Sequence, residues 1–282
     1  MRWTAGGKSS NIEDRRGQGG MGMAPMGIGG AAILLVLSLI FGRDFISDSG
    51  QEPTTSGGEV APTAESPSEA REVEFVSFVL DTAQATWSRL LPQMGAQYHN
   101  AKLVLFRNAT PTACGVGQSA MGPFYCPVDE KLYIDLSFYE ELRNRFGASG
   151  DFAQAYVLAH ELGHHVQHVL GIDAQVRRAQ QQNPGMANAL SVRLELQADC
   201  FAGVWGHETQ QQQILEPGDV EEGLNAAAAV GDDRIQRAAT GRVNAETFTH
   251  GSSAQRVSWF RRGFASGRPE DCDTFGGLAE RR

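Results

Sequence analysis

Seven residues, Ala159-His160-Glu161-Leu162-Gly163-His164-His165, restrict this chain more than any other stretch. His160 and His164 are four positions apart. On a helix that turns by about 100° per residue, they lie one turn apart on one face and can share a single ion. Glu161 is rotated by about 100° from His160, so it can face a water on that ion without being a ligand. The surrounding residues supply the helix. Phe152, Ala155, Ala159, Leu162, Val166 and Val169 form an apolar stripe over Asp151–Leu170, and the two imidazoles lie beside it at the edge of a core. Asp151 with Gln154 resembles a capping box, and Gly171 suits the stop. The bland alternative is a surface helix with scattered histidines.

Imidazole nitrogen suits zinc, and a catalytic zinc keeps one position open for water whose pKa it lowers towards about 7. Such a site needs a third protein ligand. Leu190–His207 reads as a second helix with apolar Leu190, Leu194, Ala198, Phe201 and Trp205. Glu195 and Asp199 lie within it, one turn apart on one face. One carboxylate can complete a His-His-Glu set, while the other accepts the second N–H of a ligand histidine and fixes its tautomer. Two carboxylates inside an apolar run cost free energy unless they are paired or bind metal. An exposed acidic face is the competing reading.

The rest of the chain frames this core. Met1 to Arg16 is polar, with Arg2, Lys8, Arg15 and Arg16, and no residue from Gly17 to Gly42 is charged. Residues 1–20 are therefore expected to be a cytoplasmic basic tail and 21–43 an uncleaved transmembrane anchor, with the N-terminus inside and the remainder outside. Residues 44–70, rich in Ser, Thr, Pro, Gly and Glu, read as a flexible linker, and 71–282 as the folded domain. A helix is expected over 72–91, and strands over Lys102–Phe106 and Lys131–Leu136. The net charge of -9 leaves no basic stripe for phosphates, which argues against a nucleic-acid partner.

Four cysteines allow three connectivities. The expected pairs are Cys114–Cys126, closing a short loop, and Cys200–Cys272, tying the C-terminal tail to the glutamate-bearing helix. Both fit an oxidising compartment; four reduced thiols would go with a cytoplasmic domain. His165 and His168 are read as lying off the metal site, and His99 and His207 as having no constellation around them. Gly231-Asp232-Asp233 is read as a turn or a helix-linked ion pair.

The pattern His160-Glu161-x-x-His164 with Glu195-x-x-x-Asp199 resembles the glutamate-liganded zinc peptidases, or gluzincins. More closely, His-Glu-Leu-Gly-His-His-Val-Gln, Glu-Leu-Gln-Ala-Asp-Cys-Phe-Ala-Gly-Val-Trp and Phe-Thr-His-Gly-Ser-Ser-Ala-Gln-Arg are similar to the bacterial membrane-anchored "putative neutral zinc metallopeptidase" family. The resemblance spans roughly Cys114 to Phe275. It implies an α+β zincin-like domain, mostly helical with a small sheet. It implies one zinc ion, Glu195 as third ligand, Asp199 behind His160, and Glu161 as the general base of a membrane-anchored endopeptidase. His250 and Arg256 are then candidates for oxyanion stabilisation, with helix capping and a carboxylate partner as their structural alternatives. A strand near Lys131–Leu136 is the candidate for pairing with an extended peptide or protein substrate. The alternative from another class is an inactive zinc-binding module tethered to the lipid bilayer by its N-terminal helix.

Overall fold

The first long helix shows how local signals set the frame. In the computed structural model, which describes residues 1–17, 66–144 and 147–276, α1 (Pro67–Leu90) starts where the Ser66 side chain accepts from the Glu69 N–H and Pro67 occupies the first turn. It buries Val73, Val76, Leu80, Ala83 and Trp87 along one face and gives way at Leu91 to a short 3₁₀ turn holding Pro92. This helix therefore starts at the Ser66 cap, ahead of Arg71, where the folded domain was expected to begin. The expected anchor, 21–43, and most of the expected linker fall outside the described residues. Among the described residues, no helix is long and apolar enough to cross a membrane.

Among the described residues there are six short strands: β1 (Ile12–Asp14), β2 (Lys102–Phe106), β3 (Ala109–Thr112), β4 (Gly115–Gln118), β5 (Phe124–Cys126) and β6 (Lys131–Asp135). A four-stranded sheet has the order β1-β2-β6-β5, and β3 and β4 form a separate antiparallel hairpin. In the larger sheet β1, β2 and β6 are parallel, while β5 runs antiparallel to β6. β2 is buried on both faces, as its unbroken apolar run requires. Leu103 and Leu105 enter the main core, and Val104 and Phe106 pack with Cys126 and Tyr133 on the other side. β6 lies inside the sheet, so it cannot pair with a substrate as expected; the free edge on that side belongs to β5.

β1 overturns another expectation. Met1 to Arg16 is not a separate tail but packs on the domain. Ile12, Glu13 and Asp14 pair in register with Leu103, Val104 and Leu105. Trp3 meets Phe75 edge-on at 5.3 Å, and the Ser9 hydroxyl donates to Asp81 at 2.6 Å. The basic residues that suggested a solvated tail each find a carboxylate: Lys8 with Asp14 at 3.0 Å, Arg15 with Glu13 at 2.7 Å and Arg16 with Asp14 at 2.7 Å. Alternating charges here are the ion pairs of an edge strand. The hydrogen bonds from Arg16 hold the Asp14 carboxyl well below its ordinary range.

The second half is helical: α2 (Ser137–Asn144), α3 (Asp151–Val169), α4 (Ile172–Gln182), α5 (Ala187–Gln211), α6 (Asp219–Ala229), α7 (Asp232–Thr240) and α8 (Ser253–Ser266). α3 carries the histidine motif and lies under the sheet, against α5 and α6, while α8 runs along α5. Asp151 does not form the expected capping box; its carboxylate takes the Met1 amino group at 2.8 Å. Phe152, Ala155, Leu162 and Val166 are fully buried, each large side chain contributing about 1.5–3 kcal/mol. Both expected disulfides, Cys114–Cys126 and Cys200–Cys272, are present.

Candidate metal centre

Two close helix crossings assemble the site. A Cβ on Gly163 would lie 3.1 Å from Ala198 Cα, so the missing side chain lets α3 approach α5 between its two motif histidines. This brings His160 and His164 onto Glu195 and Asp199. α8 meets α5 where a Cβ on Gly263 would run into the carbonyl oxygen of Cys200, and the contact sets Arg256 beside Asp199.

His160 Nε2 is 3.1 Å and His164 Nε2 3.5 Å from the Glu195 carboxylate. Around a tetrahedral zinc with ligands at about 2.0–2.2 Å, neighbouring donor atoms are roughly 3.3–3.5 Å apart, so this separation fits one ion. The other nitrogens are occupied. His160 Nδ1 donates to Asp199 Oδ1 at 2.9 Å, and His164 Nδ1 to Gln167 Oε1 at 2.8 Å. With the proton on Nδ1, each imidazole can turn the Nε2 lone pair to an ion, the arrangement a metal needs; here His160 Nε2 is within hydrogen-bond distance of Glu195. Asp199 and Glu195 push His160 up to about 9, although burial alone would lower it. Burial raises Glu195, but the facing His164 and His160 hold it well below the ordinary carboxylate range. The site therefore draws positive charge, and its donors are those of a zinc site.

Behind the ligands is a buried polar network. Asp199 is fully buried and accepts from Arg256 Nε at 2.8 Å, Arg256 Nη2 at 2.9 Å and Tyr156 Oη. Arg256 thus has a carboxylate partner, the structural alternative weighed for it. Glu161 lines the cleft and has no hydrogen-bond partner among the described residues; burial raises its pKa. His250 lines the same cleft. It does not cap α8, because Ser252 and Gln255 make that capping box. Its Nδ1 donates to Asp232 Oδ1 at 3.1 Å, and Asp232 also collects the backbone N–H groups of Thr249, His250 and Gly251. The Asp232 bond raises the His250 pKa over the opposing effect of burial.

The cleft measures about 490 Å³. One wall combines β5 with the Met121–Pro123 turn and Phe138, the floor is α3, and the far side carries Asp232, His250 and Arg256. The three residues expected as ligands, His160, His164 and Glu195, come together in the structure; Tyr156 and Gln167 were not foreseen beside them, and Asp232 was read only as part of a turn or a helix-linked ion pair. The signal for Gln167 was available: it is three residues after His164, on the same helical face. Asp232 is 18 residues from His250 in sequence, and only the fold joins them. His99 also departs from expectation. It sits with Glu130, His165 and His168 in a second cluster along α3, and His165 is fully buried. His207 Nδ1 donates to the Phe264 carbonyl.

A family model described as "Putative neutral zinc metallopeptidase" matches residues 1–275, which include the N-terminal strand. A protein of Escherichia coli K12, "Uncharacterized protein YpfJ", is 50% identical over 286 residues, covering 98% of this chain and 99% of that one. An uncharacterized protein of Mycobacterium tuberculosis is 48% identical over 206 residues, covering 69% of this chain and 68% of its own length. No solved structure matches the chain.

Proposed function

The chain belongs to the "Putative neutral zinc metallopeptidase" family, and from that premise we propose that it is a membrane-anchored, gluzincin-type endopeptidase. His160, His164 and Glu195 would hold one zinc ion. When bound, zinc supplies a Lewis acid that polarises a carbonyl and acidifies water in its open position. Glu161, without a hydrogen-bond partner among the described residues and raised by burial, takes a proton from the attacking water and returns it to the leaving amine. His250, oriented by Asp232, donates a hydrogen bond to the oxygen on which charge develops. Asp199 keeps His160 in one tautomer, and Arg256 neutralises Asp199 so that the pair stays ionised when buried. β5, the last strand of the sheet on this side and a lining element of the cleft, can pair with an extended peptide laid along it.

The two disulfides support a domain on the outer side of the bacterial cytoplasmic membrane, with the uncharged Gly17–Gly42 run as the attachment. The packing of β1 on β2 supports an N-terminal arm on the domain's own side, in place of a cytoplasmic tail, so the Gly17–Gly42 run would attach without a single crossing.

The observation that carries the hydrolase reading is the convergence of His160 Nε2 and His164 Nε2 on Glu195, with Glu161 lining the same cleft. The test is hydrolysis of unfolded proteins by the zinc-loaded chain and by Glu161→Gln. Loss of turnover with zinc retained supports the reading. Equal turnover rejects Glu161 as base, and zinc without turnover in either form favours a zinc-binding interaction module.

A further inference from the structure

α3 carries a second pair of imidazoles, one turn beyond the first centre, that the peptidase reading does not use. His168 and the fully buried His165 meet His99, from the loop before β2, and Glu130, from the turn before β6. Ligand atoms of His99, Glu130 and His165 all lie within 4.8 Å of one another. Glu130 extends from that group to His168, which is not itself a member of it: one oxygen contacts His99 Nε2 at hydrogen-bond distance, and the other is 3.6 Å from His168 Nε2.

Hydrogen bonds divide the three imidazoles into two kinds. His165 is complete: the Tyr125 hydroxyl is 3.0 Å from its Nδ1, and its Nε2 donates to the His99 carbonyl at 2.8 Å. It is a wall that fixes the His99 backbone. His168 has only its Nδ1 engaged, by Asp173 Oδ2 at 2.9 Å, and Asp173 is itself held by Arg177 at 2.7 Å. That bond directs the His168 Nε2 lone pair towards Glu130, just as Asp199 directs His160 towards Glu195. A carboxylate on the far nitrogen of a histidine is the usual support of a metal ligand. The His99 side chain is 55% exposed and that of His168 25%, so both can turn to close on an ion.

We propose that His99, Glu130 and His168 form a second divalent-metal site, with Asp173 and His165 as its supports. Two imidazoles and one carboxylate suit zinc or a neighbouring first-row divalent ion better than calcium or magnesium. Bound there, an ion would join three separate segments, the loop before β2, the turn before β6 and the end of α3, next to the β5 edge that lines the cleft.

The test is metal content of the full chain after equilibrium dialysis against Zn2+, repeated with Co2+ so that visible absorption reports the ligand field. The expected result is two ions in the wild type and one in each of two variants, Glu195→Ala and the pair His99→Ala with His168→Ala. Glu130→Gln, a near-isosteric change, also retains one. Circular dichroism checks that each variant is folded. A single ion in the wild type that disappears in Glu195→Ala overturns the proposal and leaves His99 and Glu130 as a surface ion pair. A second ion that survives in both the double variant and Glu130→Gln overturns it as well.

Discussion

Two imidazole groups meet two carboxylates along α3, and they differ in what surrounds them. Around His160 and His164 every far nitrogen is fixed by a side chain, Asp199 or Gln167, and Asp199 is fully buried with Arg256. Around His99 and His168 only His168 has such a support, and the carboxylate is on an exposed turn. The lesson is that spacing brings histidines together, while the partner of the second nitrogen decides how rigidly they serve an ion. The inner centre is preorganised and the outer cluster is adaptable, so damage to the inner one should be costly and damage to the outer one mild.

The largest effect is expected from Glu161→Gln. Removing a general base should cut kcat by about 10²–10⁴-fold while the zinc content is unchanged, read from peptide hydrolysis with metal analysis of the same sample. His250→Ala should lower kcat by about 10²–10³-fold with little change in KM, since its hydrogen bond matters only where charge develops. Asp199→Ala leaves the Arg256 guanidinium buried and unpaired. A loss of about 3–5 kcal/mol of stability is expected in denaturant titrations. Gln167→Ala should weaken zinc binding at the inner centre by about 10–100-fold, measured by competition with a chelator. The smallest effect is expected outside that centre: Tyr125→Phe removes one hydrogen bond to His165, about 1 kcal/mol, with zinc affinity at His160 and His164 unchanged. A Tyr125→Phe effect as large as that of Gln167→Ala would erase the distinction between the two groups.

Periodicity made the inner centre legible. Two histidines and two carboxylates, each at a spacing of four on an apolar helix, needed only one helix crossing to meet, and Gly163 permits that crossing. Lys102–Phe106 was equally clear, because a buried parallel strand is an unbroken apolar run. Residues 1–16 were misread because β1 stabilises itself through ion pairs and backbone pairing, which composition cannot distinguish from a solvated tail. The sheet edge was expected at β6, where the structure has β5, because strand order is a property of the sheet and Phe124–Cys126 is too short to show alternation. Asp232 was read as a turn or helix-linked ion pair without its partner His250, and the surroundings of His99 were missed, because these partners come from distant segments.

The most direct measurement is an anomalous-difference map at the zinc edge from crystals of the zinc-loaded chain. The account expects a peak about 2.0–2.2 Å from His160 Nε2, His164 Nε2 and a Glu195 carboxylate oxygen, with Glu161 facing its open side. A map without that peak, or side chains of these three residues turned away from one another, would contradict it.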